Sequence, residues 1–217
     1  RSEEVEELIR VRDETETPVT VVRNRLFLPY EQRAIHRVES GEIGDVVSVT
    51  MVFSNEDDLT ETGRGEWVFE LPGGELGEGS PHQVYIPLRF VEGLGEIQGT
   101  GLQNYRQYDS PVEFDGAGIE AVDESGRRLI TIKMLANSAT RDTLFIHGTK
   151  GELQIDFVKR GIYTSTNKDR YSVSAFLSEN IGFGVQTVQN TLQTGIGFAK
   201  RLIHEKRGDP RSEQSNG

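Results

Sequence analysis

The sequence predicts an α+β fold: one large, mostly antiparallel open sheet with helices on one face, preceded by a helix–strand unit. Three observations predict it. Apolar residues in the first forty positions recur at helical spacing, and β-branched runs separated by turn residues fill most of the chain after Gly93. Connectors such as Asp123-Glu124-Ser125-Gly126 and Gly148-Thr149-Lys150-Gly151 are too short for a crossover helix, so the strands they join must run antiparallel.

Each element has its own justification. Residues Ser2 to Thr15 place Val5, Leu8, Ile9 and Val11 near one helical face, with Glu3, Glu4, Glu6 and Glu7 close to the amino end, where they complement the dipole. Thr17-Pro18 ends that helix, and Val19-Thr20-Val21-Val22 reads as a short buried strand. A second helix starts after Pro29 and stops at Ser40-Gly41, whose glycine supplies a left-handed terminus. Val46, Val47, Val49, Met51 and Phe53 form a strand, followed by a polar loop, Asn55 to Arg64, expected to act as an active-site flap or to be disordered. Pro81 and Pro87 confine the next helix, whose body is expected from Ser80 to Glu92.

Six strands are then expected: Ile97 to Tyr108, Val112 to Val122, Arg128 to Leu135, Asp142 to His147, Glu152 to Phe157 and Gly161 to Thr166. A last helix, Phe176 to His204, precedes a tail from Glu205 to Gly217 expected to be mobile. Two helices cannot cover so wide a sheet, which predicts a homo-oligomer formed through it unless the last helix covers the remainder.

Composition narrows the function. The 217 residues carry 35 acidic against 24 basic groups, for a net charge of -11, and no cysteine. Disulfides, thiolate metal sites and a cysteine nucleophile are excluded, and the acidic surface disfavours nucleic acid. No apolar run reaches the roughly 18 to 20 residues of a membrane-spanning helix, and the opening is unlike a secretion signal, so the expected setting is the cytoplasm. Six of the 24 basic residues are lysine and the rest arginine, a bias read as halophilic adaptation.

Of four histidines, three have structural readings: His36 among arginines on the second helix, His147 at a strand end, and His204 near a helix end. None has carboxylate or histidine neighbours at metal-ligand spacing, and no metal is expected. His82 differs, because the run from Gly73 to His82 sets glycines and Glu78 just before an apolar helix. If both side chains lie on one turn, the spacing of four puts them on the same side, a base and its orienting partner. A helix-capping region with an incidental histidine explains the same local pattern.

Several segments together, Asn24-Arg25-Leu26-Phe27, Glu39-Ser40-Gly41-Glu42-Ile43-Gly44-Asp45-Val46, Trp67, and Gly73-Gly74 leading to Glu78 and His82, resemble the carboxyl-terminal part of the Gfo/Idh/MocA oxidoreductases. The likeness runs from about residue 1 to residue 157. It implies that residues 1–24 are a helix–strand remnant of a Rossmann domain, and that 25–204 form the substrate and oligomerisation domain, with 205–217 a flexible tail. Glu78 and His82 would then be the catalytic pair, with Asn24, Arg25 and Trp67 facing nicotinamide or substrate. Tyr85 stands where the family has a further acidic residue and is expected among the substrate contacts, and Val68 replaces an arginine common after the tryptophan.

The family's Gly-x-Gly-x-x-Gly turn and Glu-Lys-Pro motif do not occur, and neither Gly93-Leu94-Gly95 nor Gly182-Phe183-Gly184 has the strand–turn–helix context of a phosphate loop. The chain therefore reads as a fragment. The resemblance implies an intact protein that uses NAD or NADP to oxidise or reduce a sugar or polyol hydroxyl, with no cofactor bound by this chain alone. A non-catalytic dimerisation or interaction module and a sugar-binding protein without redox activity are the alternative readings.

Overall fold

The computed structural model describes residues 2–56, 65–103, 114–166 and 172–206, without the side chains of 2, 75 and 200–206. Four α-helices, α1 (Ser2–Thr15), α2 (Pro29–Glu39), α3 (Gly74–Leu88) and α4 (Val173–Lys206), accompany seven strands. These are β1 (Val46–Ser54), β2 (Ile97–Leu102), β3 (Gly116–Val122), β4 (Leu129–Leu135), β5 (Arg141–Gly148), β6 (Gly151–Asp156) and β7 (Gly161–Thr166). They form one sheet in the order β2-β3-β4-β1-β5-β6-β7.

Every pairing is antiparallel except β1 with β4, where Met51 lies beside Ile132 in parallel register. The long excursion between these two strands, which contains α3, β2 and β3, gives the chain the length a parallel return requires. Side-chain alternation then sorts the two faces. Val49, Met51, Ile130, Ile132, Leu144, Ile146, Leu153 and Ile155 are buried beneath α2 and α3, which add Ala34, Ile35, Leu76 and Ile86 to the same core. Thr50, between Thr131 and Phe145 in register, looks the other way, toward a mixed polar face.

Two expectations need correcting. Val19 to Val22 form no strand: their backbone is irregular, and Val19, Val21 and Val22 are 57%, 80% and 74% exposed. A β-branched run becomes a strand only where a neighbouring strand accepts its ladder, and no described strand lies beside this one. The third helix begins at Gly74 rather than Ser80 and ends at Leu88. Pro81 cannot donate to the Gly77 carbonyl, yet the Ser80 hydroxyl donates to that oxygen at 2.7 Å, so the helix runs through the proline. Gly77 itself is required by close approach, since a Cβ there would collide with the Pro72 carbonyl.

The remaining boundaries differ by a few residues at most, with the expected segments 57–64, 104–113 and 207–217 outside the described residues. Helix α4 does not lie over the polar face but runs along the edge strand β7. Gln186 accepts from the Thr164 N–H at 2.7 Å and donates to its carbonyl at 3.1 Å. Asn190 does the same at Ile162, at 3.3 and 2.8 Å. Four helical residues rise about 6 Å and two strand residues about 6.6 Å, so amides at i and i+4 match alternate strand positions. They take the place of an eighth strand. No described helix is long and apolar enough to cross a membrane.

Candidate active site

Three of the residues singled out in the sequence meet through one phenol. The 3-10 turn Asn24–Phe27 and helix α3 pack together, which brings Tyr85 Oη to 2.7 Å from His82 Nδ1 and 3.3 Å from Asn24 Oδ1. The Arg25 backbone N–H donates to the same oxygen at 3.4 Å. His82 and Tyr85 also meet ring edge to face, with centroids 5.4 Å apart, and the Arg23 guanidinium lies 6.0 Å from the Tyr85 ring centre.

The direction of the 2.7 Å contact between His82 Nδ1 and Tyr85 Oη follows the tautomer: where the phenol donates to Asn24 Oδ1, Nδ1 is the donor and Nε2 is the basic nitrogen. The array thus holds a half-buried histidine against a phenol that is coupled to its tautomer.

Glu78 lies one turn before His82 on α3 and is also half-buried. Trp67 sits on a short 3-10 turn, Glu66–Glu70, packed against α3, and is 51% exposed. Arg25 takes a different course. Its guanidinium donates to Asp142 Oδ2 on β5 at 2.9 Å and lies 4.3 Å from the Phe157 ring centre. His147 pairs with Glu152 across two strands at 2.8 Å, as a surface residue would. The His204 side chain is outside the described set.

Around Arg25 lies a polar cluster that the sequence reading missed. Glu31 is wholly buried on the inner face of α2, and neither carboxylate oxygen has a hydrogen-bond partner. Burial pushes its pKa up to about 7, with Arg25 pulling it down and Asp142 adding to the rise. Burial raises Asp142 as well, against the opposing pull of Arg25. A signal existed: Glu31 precedes Ala34 and Ile35 by three and four positions, on the stripe that faces the sheet.

Neither glycine run set aside in the sequence forms an open glycine turn at a helix amino end, the feature that holds a dinucleotide's phosphates. The space beside Gly93 is filled by the Glu124 side chain, while Gly182 and Gly184 lie inside α4. Among the described residues no group of three or more histidines and carboxylates is placed to hold a metal ion.

The fold is that of the sheet domain in NAD-binding oxidoreductases of the Gfo/Idh/MocA type. The WlbA dehydrogenase from Bordetella pertussis, solved with NADH and UDP-GlcNAcA, superposes on 98% of this chain and 61% of its own, with 16% identity and a TM-score of 0.66. An NAD binding oxidoreductase from Klebsiella pneumoniae covers 77% of this chain and 48% of its own, at 18% identity and a TM-score of 0.65. Levoglucosan dehydrogenase in complex with NADH covers 69% and 43%, at 18% identity and a TM-score of 0.58. The chain thus spans about half the length of the solved structures it matches. No protein-family profile and no curated protein sequence matches it.

Proposed function

We propose that this chain is the substrate-binding and dimerisation part of an NAD(P)-dependent oxidoreductase acting on a sugar or polyol hydroxyl. The observation that carries the reading is the Asn24–Tyr85–His82 array, which holds an imidazole in a hydrogen-bonded chain with a phenol and an amide. In this reading the chain's own residues handle the hydroxyl. His82 removes or returns its proton, Tyr85 and Asn24 hold the imidazole in register, and Glu78 orients the substrate or the ring. Trp67 excludes water from one side. In this reading the redox chemistry belongs to a cofactor held by a separate nucleotide-binding domain.

A second copy is proposed to cover the polar sheet face around Thr50, Thr131 and Phe145, where strand alternation leaves side chains that no described helix covers. The excess of acidic residues and the preference for arginine support a salt-adapted cytoplasmic setting.

His82→Ala, assayed together with the nucleotide-binding domain, should lower turnover roughly 10²- to 10⁴-fold with an unchanged melting temperature. Equal turnover would favour a non-catalytic interaction module. Calorimetric titration of the 217-residue chain with NAD and NADP should show weak binding or none, and micromolar affinity would defeat that part of the reading.

A further inference from the structure

We propose that the outward face of α4 is a self-association surface, on which a second copy of this chain lays its own α4 antiparallel about a two-fold axis at Val188. The clasp on β7 sets which side of the helix faces out. Gln186 and Asn190 point at the edge strand, and at about 100° per residue Leu177, Ile181, Val188 and Leu192 fall on the far side. Those four are 53% to 67% exposed. From Val173 to Ala199 the helix carries one charged residue, Glu179, on the Gln186 side, in a chain where 27% of residues are charged. A face kept for water on such a chain would carry charge. An uncharged face is what two copies need, because each has a net charge of -11 and like charges across a contact repel.

The spacing along this face reads the same in both directions. Leu177, Ile181, Gly184 and Val188 are separated by 4, 3 and 4 positions, and Val188, Leu192, Gly195 and Ala199 by 4, 3 and 4 again. A helix reversed about Val188 therefore sets Leu177 on Ala199, Ile181 on Gly195 and Gly184 on Leu192. Each branched side chain off the axis meets a glycine or a methyl group, the large-on-small match of a packed seam. A Cβ at Gly184 or Gly195 would meet nothing within 4 Å, so the space for the incoming side chain is open. Glycines in the seam also let two helix backbones approach closely. A parallel partner would put leucine on leucine and glycine on glycine, alternating overlap with voids. A lipid surface needs an apolar face but no register.

The area is sufficient. With Val185 and Ile196 at the rim, each copy offers six large apolar side chains, and at about 100 Å² apiece the pair buries roughly 1,200 Å², the lower bound for a stable specific contact. Together with a contact through the sheet face, this second two-fold would give a tetramer, and it does not rest on the oxidoreductase reading.

The chain has no cysteine, so Val188→Cys places a single thiol on the axis. Mild oxidation of the full chain should link it into a dimer, whereas Gln189→Cys, about 100° round the helix, should stay unlinked. Gly184→Leu meets no atom of its own chain and favours helix, so the melting temperature should hold or rise. Added to Val188→Cys, it should slow linkage about tenfold or more by colliding with the partner's Leu192. Thr50→Arg, aimed at the sheet-face contact, should leave the linkage unchanged, so the failure of either contact is read separately. No linkage at Val188→Cys, equal linkage at Gln189→Cys, or a rate unmoved by Gly184→Leu would each overturn the proposal. So would flotation of the wild-type chain with phosphatidylcholine vesicles that Gly184→Leu strengthens, which would give the face to a lipid surface.

Discussion

Asn24 and Arg25 are adjacent in the chain but belong to polar clusters built on opposite terms. Asn24, itself exposed, joins the half-buried Tyr85 and His82 in an array in which donors and acceptors can be matched one to one. Arg25 joins Asp142 beside Glu31, in a charged group under the core where three carboxylate oxygens lack partners. The first arrangement matches its donors and acceptors at little energetic cost. The second loses stability to desolvation, and burial raises the pKa of both its carboxyls. One peptide unit links them, because the Arg25 N–H reaches Tyr85 while its guanidinium reaches Asp142.

The largest expected break in this contrast is Arg25→Ala. It leaves Asp142 and Glu31 without their cation, and chemical denaturation at pH 7 should show a loss of about 3 kcal/mol. A loss below about 1 kcal/mol would mean that the charged cluster is as forgiving as the neutral one.

Glu31→Gln sharpens the comparison through pH. The folded pKa of about 7 lies above the ordinary value of 4.5, so folding takes up a proton between them. Stability from this group is therefore fully present below about pH 4.5 and is lost as pH rises through about 7, by up to about 3 kcal/mol. The glutamine variant should flatten that decline and be more stable than the wild type at pH 8. Parallel denaturation curves for the two proteins from pH 5 to 8 would contradict the assignment.

Gln186→Leu removes an amide that serves both the N–H and the carbonyl of Thr164, and should cost about 1 to 2 kcal/mol while raising hydrogen exchange at that N–H. The smallest stability effect is expected from Tyr85→Phe, about 1 kcal/mol or less, since the neutral array is part-exposed. Its signature should instead be a shifted pH–rate profile, because Nδ1 of His82 would lose its tautomer-setting partner. An unmoved profile would remove Tyr85 from the proposed mechanism.

Much of this architecture was legible in the residues. Val5, Leu8 and Ile9 marked α1, Pro29 and Gly41 bracketed α2, and the turn residues at Asp123–Gly126 and Thr149–Lys150 separated strands that pair as expected. Tyr85 was noticed because it departs from a family pattern, but only the packing of α3 on the Asn24 turn shows what the phenol touches. The parallel pairing of β1 with β4 was not legible, because it depends on where a chain returns rather than on local composition. Val19 to Val22 misled for the same reason, since β-propensity describes suitability for a ladder and not the presence of a neighbour. Glu31 was passed over because its charge outweighed its position on the apolar stripe, and the pairing of Arg25 with Asp142 was not legible because the two lie 117 residues apart.

The amide clasp on the last strand has a mechanical corollary. Lateral growth of the platform by recruiting a ribbon from another polypeptide is blocked at Ile162 and Thr164, whose outward groups are engaged by Gln186 and Asn190. The opposite rim, Ile97–Leu102, has Gly99 and Gly101 at its centre and every residue exposed. Among the described strands that glycine-bearing border is the edge left open to such annexation, so a single charged substitution there would guard it.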